Sequence, residues 1–151
     1  VTFESEFCVA REKNESRDRK LDRRRKIALE AAKQCGRGLV PEVLPTVGFA
    51  EAVRAASKAD LPLFCYEGDG TLPLKALVRT RLSGNEKQGN VRADAGFTVS
   101  VVIGAEGGFS AREAEFAKEN GMLMTGLGKR ILRTETVSGF VLAALVYELE
   151  M

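Results

Sequence analysis

Runs of apolar residues and stretches of mixed polarity follow one another along this chain, and their spacing predicts strands and helices in alternation. Leu61–Tyr66 is a continuous apolar run, which is typical of a strand buried on both faces of a sheet, and Phe97–Ile103 and Met122–Leu127 are predicted to be strands as well. A further short strand is predicted over residues 2–10, where apolar and charged residues are interleaved. Because strand, turn and helix repeat in this order, the chain is predicted to form an α/β fold around a parallel sheet.

Helices are predicted where apolar residues recur every three or four positions. Ser110 and Glu113 have the spacing of a capping box, which marks the start of a helix that Gly121 ends. Residues 83–96 are rich in glycine, asparagine and charge, and we expect them to form a mobile loop. The predicted helices run from about Asp18 to Cys35, from about Gly48 to Ser57, over Leu74–Arg81, from Ser110 to Gly121, and from Thr134 to about Glu150.

Length and composition indicate a single folded domain. The chain has 151 residues, of which 44% are hydrophobic and 29% are charged, so it is able to bury a core and is not of the disordered class. It contains no histidine, which excludes an imidazole base or metal ligand in this chain and disfavours serine–histidine hydrolases and most zinc enzymes. We expect no metal site.

The cysteines and the lengths of the apolar runs favour a cytoplasmic protein. Cys8, Cys35 and Cys65 are far apart and form no CxxC pair, as is usual in a reducing compartment. No stretch approaches the ~20 apolar residues that a membrane span requires. We therefore expect no membrane partner.

Basic residues are concentrated in the first predicted helix, although the formal net charge of the chain is only +2. One interpretation is a surface that contacts the phosphates of a nucleic acid without reading its sequence. The other is an ordinary solvated helix face, on which neighbouring aspartates offset part of the charge. The spacing leaves both interpretations open. The residues concerned are Arg17, Arg19, Lys20, Arg23, Arg24, Arg25 and Lys26.

Two loops have the composition of a small-ligand site. Residues 104–108 follow an apolar strand, and their three glycines would let a ligand approach the backbone closely. They form neither the GxGxxG pattern of dinucleotide sites nor the lysine-bearing phosphate loop. Residues 127–133 interleave apolar and cationic side chains. Taken alone, a tight turn and a surface loop are the more frequent explanations of such segments.

Three segments together resemble the RsmE family of 16S rRNA uridine-N3 methyltransferases. Val102–Ser110 is similar to the family pattern IGPEGG(F/L)S…E, and Leu127–Thr136 is similar to LGxR(I/V)LRTET. Lys26–Glu42 contains the elements of a third pattern, KIAxEAxQCGR…PE. The three segments occur in the family's order and span most of the chain. One departure is Ala105, which stands where the family usually has proline and makes the turn less rigid.

This resemblance implies a fold, a partner and a reaction. The fold is a SPOUT-type α/β knot, with a deep C-terminal trefoil knot around the parallel sheet, and the partner is a second copy in a homodimer. Residues 1–151 would form the SPOUT methyltransferase domain without its first strand and helix, and the family's N-terminal PUA-like RNA-binding domain would lie outside them. The reaction is S-adenosylmethionine-dependent methylation of N3 of a uridine in small-subunit ribosomal RNA. Alternatives are a SPOUT enzyme with another RNA target, either a ribose 2′-OH or tRNA, and an RNA-binding module without activity.

The resemblance also implies roles for particular residues. Arg133 is expected to stabilise the negative charge that spreads over the uracil ring when N3 loses its proton, and Glu135 to accept that proton or to orient Arg133. RNA contacts are expected from the basic residues Arg23, Arg24, Lys26, Arg37 and Arg130. S-adenosylmethionine is expected to contact Tyr66, Glu67, Ile103, Gly104, Glu106, Gly107, Gly108, Leu127, Gly128, Ile131, Leu132 and Thr136.

Overall fold

The computed structural model describes residues 1–8, 14–88 and 96–150. Strands and helices alternate through this part of the chain, as the hydrophobic pattern predicts. In chain order the elements are β1 (Phe3–Glu4), α1 (Asn14–Gln34), β2 (Val47–Gly48), α2 (Phe49–Ala56), β3 (Leu61–Cys65), β4 (Leu72–Pro73), α3 (Leu74–Gln88), β5 (Val99–Val102), α4 (Ala111–Glu119), β6 (Leu123–Gly126) and α5 (Thr134–Glu150).

Four strands form a sheet in the order β4-β6-β3-β5, and all of its neighbouring strands are parallel. The register places Phe64 of β3 opposite Val102 of β5 on one side and Met124 of β6 on the other. Strands β1 and β2 form a separate parallel pair. The prediction of an α/β fold with a parallel sheet is therefore confirmed, and the carboxyl ends of β3, β5 and β6 lie at one edge.

The core has two halves, one on each face of the sheet, because successive side chains of a strand point to opposite faces. Phe64 packs with helices α2 and α4 through residues such as Val53 and Ala117. Leu63 packs with α3 and α5, which contribute Val78 and Val141 among others. All six of these residues are at most 1% exposed, so the sheet is a rigid support for the loops at its edges.

The opposite, amino-terminal edge of the sheet is held by polar contacts between the starts of β3 and β5. The Asp60 carboxylate accepts hydrogen bonds from the Thr98 hydroxyl at 2.7 Å and from the Thr98 backbone N–H at 2.9 Å. These bonds favour the ionised form and lower the pKa of Asp60. Arg81 of α3 donates from Nε to the Asp60 carbonyl at 2.6 Å, which ties the helix to the same edge.

The structure differs from the sequence predictions mainly in the lengths of elements. The strand predicted over residues 2–10 is paired only at Phe3–Glu4, because Ser5–Cys8 forms a turn that the Cys8 N–H closes onto the Ser5 carbonyl at 3.2 Å. Helix α3 continues to Gln88, through half of the loop predicted at 83–96, since its packed first turns support the weaker helix formers that follow. Residues 9–10 of the predicted strand and residues 89–95 of the predicted loop lie outside the described residues.

Helix α1 is more exposed than an ordinary core helix. Among its side chains from residue 16 onwards, Ala32 is buried, whereas Ile27 is 59% exposed. Polar contacts attach the helix to β1: Arg17 is 3.5 Å from Glu4, and Arg24 donates to the Thr2 hydroxyl at 3.3 Å. Within the described residues, no helix is both long enough and apolar enough to cross a bilayer.

Candidate functional site

A cavity of about 940 Å³ opens at the carboxyl edge of the sheet, which is the usual place for a ligand in an α/β fold. Three chain segments line it: residues 65–71 after β3, residues 103–109 after β5, and residues 125–137 around the loop from β6 to α5. Its volume lies within the range of roughly 300–1,000 Å³ that is typical of small-molecule and cofactor sites. The sheet thus brings together loops that are far apart in sequence.

The predicted cofactor residues meet in this cavity, with one exception. Thr136 does not line it, because the Thr136 N–H donates to the Arg133 carbonyl at 2.8 Å inside the first turn of α5. Arg133 and Glu135, predicted to be catalytic, also line the cavity, as does Arg130, which was assigned to RNA. The remaining predicted cofactor residues all belong to the lining: Tyr66, Glu67, Ile103, Gly104, Glu106, Gly107, Gly108, Leu127, Gly128, Ile131 and Leu132.

The glycine segment after β5 forms a tight turn. The Gly108 N–H donates to the Ala105 carbonyl at 2.8 Å, and Gly108 has a φ of +68°, a conformation that favours glycine. The turn closes in this way without the proline that the family has at position 105. Its backbone therefore forms one wall of the cavity.

Gly107 also has a second neighbour that the sequence does not reveal. A Cβ atom at this position would come within 2.9 Å of Phe7 Cβ and 3.3 Å of the Phe7 carbonyl oxygen. The turn at Ser5–Cys8 therefore packs directly on the glycine turn. A larger residue at position 107 would push the Ser5–Cys8 turn away. It would therefore affect a bound ligand both directly and through the displaced turn.

Helix α4 begins with the predicted capping box. The Ser110 hydroxyl accepts the Glu113 N–H at 3.2 Å, and Glu113 Oε2 accepts the Ser110 N–H at 3.0 Å. The other oxygen, Oε1, accepts the Glu6 N–H at 2.8 Å. The N–H groups of Ser110 and Glu113 are thus bound within the helix start itself, which removes these two from the anion-binding role that a helix start often has. Glu113 instead connects α4 to the Ser5–Cys8 turn.

The segment after β3 contributes an aromatic ring and a thiol. The Tyr66 ring lies so close to Gly68 that a Cβ atom on Gly68 would collide with it. The Tyr66 N–H donates to the Thr125 carbonyl at 3.1 Å. Cys65 is half-buried, and its burial raises the pKa of the thiol to about 11. At neutral pH the thiol is therefore protonated and acts as a small apolar group, not as a nucleophile.

The loop after β6 forms the open side of the cavity. Ile131 is 81% exposed, although Leu132 next to it is half-buried against the core. The side chains of Arg133 and Glu135 are 87% and 67% exposed, and Arg133 Nη1 lies 4.0 Å from Glu135 Oε1. Such an exposed pair contributes little to stability, which leaves both groups available to a ligand.

The cations of α1 divide into two sets. Arg23 and Lys26 are exposed on the outer face, and Arg37 is exposed beyond the end of the helix. Arg24 does not share this position: it is half-buried and donates to Thr2, so it attaches the helix to β1. Arg25 likewise donates to the Val43 carbonyl at 3.4 Å.

The cavity also contains residues that the sequence analysis missed. Cys65 could have been found, because it ends an apolar run at the carboxyl end of a strand. Thr71 and Gly126 give no local signal. They come together because β4 pairs with β6, which places the Thr71 hydroxyl where a Cβ atom on Gly126 would be only 3.0 Å away.

Solved structures and curated relatives resemble this chain over nearly its whole length. A putative methyltransferase from Legionella pneumophila, in complex with the bound cofactor SAM, has a TM-score of 0.78 and 27% identity, over 97% of this chain and 53% of its own. The ribosomal RNA small subunit methyltransferase E from Neisseria gonorrhoeae, bound to S-adenosyl methionine, has a TM-score of 0.72 and 29% identity, with the same coverage of 97% and 53%.

Several curated relatives carry the name ribosomal RNA small subunit methyltransferase E. The Bacillus subtilis protein is 29% identical over 100% of this chain and 56% of its own length, and the Helicobacter pylori J99 protein is 32% identical over 92% and 50%. The chain thus spans about half the length of the relatives it matches, and the resemblance to the RsmE family is confirmed. The family model described as an RNA methyltransferase domain matches residues 1–146. The chain belongs to the RNA methyltransferase domain family.

Proposed function

We propose that this chain is the catalytic part of an S-adenosylmethionine-dependent methyltransferase that acts on N3 of a uridine in small-subunit ribosomal RNA. The observation that carries the proposal is the convergence of three loops, which contain the predicted cofactor residues other than Thr136, in one cavity. Relatives that match this chain over most of its length bear the name ribosomal RNA small subunit methyltransferase E, and two solved neighbours hold the cofactor. Such a substrate implies a cytoplasmic enzyme.

The chemistry of the cavity fits S-adenosylmethionine. The glycine turn offers backbone atoms at close range, and Leu127 and Leu132 offer apolar surface for an adenine ring. Carboxylates of Glu67, Glu106 and Glu135 line the same cavity and would offset the positive charge of a sulfonium. The cofactor would supply the methyl group, and the protein would supply binding and orientation.

Arg133 and Glu135 are the proposed catalytic pair. When the N3 proton of a uridine is lost, negative charge spreads to the ring oxygens, and the Arg133 guanidinium would stabilise it. Glu135, 4.0 Å from Arg133, would accept the proton or hold the guanidinium in place. Both side chains are exposed at the open side of the cavity, where an RNA base would enter.

Titration calorimetry with S-adenosylmethionine, with NAD and ATP as controls, tests the cofactor proposal. We expect selective binding of S-adenosylmethionine, and methyl transfer to small-subunit rRNA by the intact protein, with the product identified as N3-methyluridine by mass spectrometry. Arg133→Ala should reduce kcat far more than it weakens cofactor binding. An equal loss of both would show that Arg133 has a structural role, and selective binding of NAD or ATP would contradict the proposal.

The RNA surface is proposed to consist of Arg23, Lys26, Arg37 and Arg130. All four side chains are exposed, and Arg130 lines the cavity itself. Arg24 supports this surface indirectly, because its hydrogen bond to the Thr2 hydroxyl holds helix α1 in place. Contacts of this kind bind phosphates and position the RNA, whereas the cavity selects the base.

A homodimer is proposed from the surface of α5. This helix is apolar on nearly every side, a pattern typical of helices that are covered all round. Its inner side chains pack on the sheet, but Leu142, Val146 and Tyr147 are 61%, 43% and 67% exposed. An apolar groove of about 350 Å³ beside Phe140 continues this surface. A second copy packed on α5 would cover it.

The SPOUT-type knot and a further strand beside β5 are proposed on separate grounds. The likeness to solved methyltransferases, with TM-scores of 0.78 and 0.72, supports the SPOUT-type knot, and a crystal structure that traces residues 127–150 would test it.

Among the described residues, no strand pairs with the outer edge of β5, although α2 contacts both β5 and β1. A strand from another segment of the protein, paired with β5, would join the two sheets. Hydrogen exchange at Val99 and Val101 should then be slower in the intact protein.

A further inference from the structure

Phe7 is an exposed aromatic side chain directly beside the glycine turn. It is 45% exposed, and ring–ring contacts within the described residues join Phe3, Phe49, Phe64, Tyr66, Phe109 and Phe116 but do not include it. An aromatic ring that is half in water and outside the core needs a different explanation from the buried ones.

The backbone that carries Phe7 is held firmly. The Ser5–Cys8 turn is closed by the Cys8 N–H on the Ser5 carbonyl, and the Glu6 N–H is bound by the buried carboxylate of Glu113 at 2.8 Å. Phe7 Cβ and carbonyl oxygen rest against Gly107. The base of the side chain is thus fixed, while part of the side chain faces solvent.

The position of Phe7 relates it to the substrate and not to the cofactor. Phe7 does not line the cavity, but Gly107, on which it packs, does. The side chain therefore lies beside the glycine turn but outside the lining of the cavity, where it could contact RNA that flanks a base bound in the cavity. The same turn leads along the chain towards the basic helix α1.

The charges next to Phe7 favour a base over a phosphate as its partner. Glu6 precedes Phe7 and Glu106 precedes Gly107, and both carboxylates are exposed. They would repel a phosphate at this place. An uncharged nucleobase, in contrast, stacks on an aromatic face without regard to its sequence.

We propose that Phe7 is a stacking platform for an unpaired nucleobase next to the target uridine, and this proposal rests on the proposed function. The Phe7 ring would bind a base that flanks the uridine, while the uridine itself enters the cavity. Glu113 is a positioning residue for this platform, because it holds the turn that presents the ring.

The test measures RNA binding by variants of the intact protein. Phe7→Leu should weaken binding of a single-stranded RNA that contains the target uridine by about 5- to 150-fold, the range expected for loss of one base–aromatic stack. Affinity for S-adenosylmethionine should not change. Phe7→Tyr and Phe7→Trp keep a flat ring and should bind the RNA nearly as the parent does.

Phe7→Trp also gives a direct signal, since the 151-residue chain contains no tryptophan. Emission from the introduced indole, taken as the difference from the parent, should be quenched by the RNA and less so by an RNA that is abasic beside the uridine. This measurement decides the question even where Phe7→Leu fails to fold.

Two results would overturn the platform. One is unchanged RNA affinity of Phe7→Leu. The other is indole emission of Phe7→Trp that changes with protein concentration but not with added RNA, which would place Phe7 in a protein interface. If RNA binds the parent and quenches the indole of Phe7→Trp, but the parent transfers no methyl group, the platform stands and the proposed function fails. If the parent methylates the RNA while Phe7→Leu binds and turns over as the parent does, the platform alone fails.

Discussion

At the scale of single residues, burial determines the protonation of the Cys65 thiol in the cavity. Its thiol is half-buried, and its pKa rises from 9.0 to about 11. As the pH rises through 9, the thiol ionises in the unfolded chain but stays protonated in the folded state. Between pH 9 and about pH 11 the folded state therefore binds more protons than the unfolded state. The contribution of Cys65 to stability is therefore fully present below pH 9 and declines as the pH rises towards 11.

We expect Cys65 to react slowly with iodoacetamide at pH 8. The raised pKa lowers the thiolate fraction at pH 8 and burial limits access to the thiol, so alkylation should be slower by roughly 10- to 100-fold than for the same cysteine in urea-unfolded protein. Mass spectrometry of the labelled peptide measures both rates. Saturating S-adenosylmethionine should slow the folded-state reaction further, because Cys65 lines the cavity. Equal rates in the folded and unfolded protein would contradict the assignment.

At the scale of elements, helix α4 illustrates which features the sequence predicts well. Ser110 and Glu113 mark its start by spacing alone, and the structure confirms the capping box. The bond from the Glu6 N–H to Glu113, in contrast, spans 107 residues and leaves no local pattern. The contact of Phe7 with Gly107 was missed for the same reason. Local hydrogen bonds are thus readable from the sequence, whereas contacts between distant turns are not.

Glu113→Ala should lower the free energy of unfolding by about 2–4 kcal/mol. The substitution removes one half of the capping box, for about 1 kcal/mol, and leaves the Glu6 N–H without its bond, for about 1–3 kcal/mol. Urea denaturation at pH 7 measures the change. Glu115→Ala is the matched control on the same helix, since Glu115 is 65% exposed and its pair with Lys118 should contribute at most about 0.5 kcal/mol. Similar losses for both variants would show that the carboxylate of Glu113 has no special role.

At the scale of the whole molecule, the cavity is only partly visible in the sequence. Each apolar strand and the glycine turn were predicted, and parallel strands place their carboxyl ends together. Thr71 and Gly126 were not, because their meeting depends on the two-residue strand β4, which is too short to give a periodic signal. Thr136, which the family motif predicts to bind the cofactor, lies in the first turn of α5 and does not line the cavity, since the motif does not state which of its residues belong to the helix.

The exposed cations of α1 should determine the salt dependence of RNA binding. Arg23→Gln combined with Lys26→Gln removes two proposed phosphate contacts, so the slope of log K against log salt should become shallower by about 1.5 to 2. Filter binding over a range of salt concentrations measures this slope. The matched control is Lys58→Gln combined with Lys118→Gln, which removes two charges at the amino edge of the sheet, away from the cavity. A parent-like slope in the first variant would return α1 to the interpretation of a solvated helix.

The apolar surface of α5 should hold two copies together. Leu142→Glu places a charge on this surface, and because Leu142 is 61% exposed, the fold of each copy should be unaffected. Light scattering is expected to show a dimer for the intact parent and a monomer for the variant. Ala55→Glu, at an exposed position of α2, is the control and should remain a dimer. A dimer in both cases would place the interface elsewhere.

The cavity joins the ends of three strands, and this arrangement has a thermodynamic consequence. A molecule that touches residues 65–71, 103–109 and 125–137 at once acts as a non-covalent cross-link between them. By linkage, a ligand present at 100 times its Kd would stabilise the folded state by about 2.7 kcal/mol. The lifetime of the protein in a cell would then follow the supply of the ligand, so that an enzyme short of cofactor would be both idle and more readily degraded.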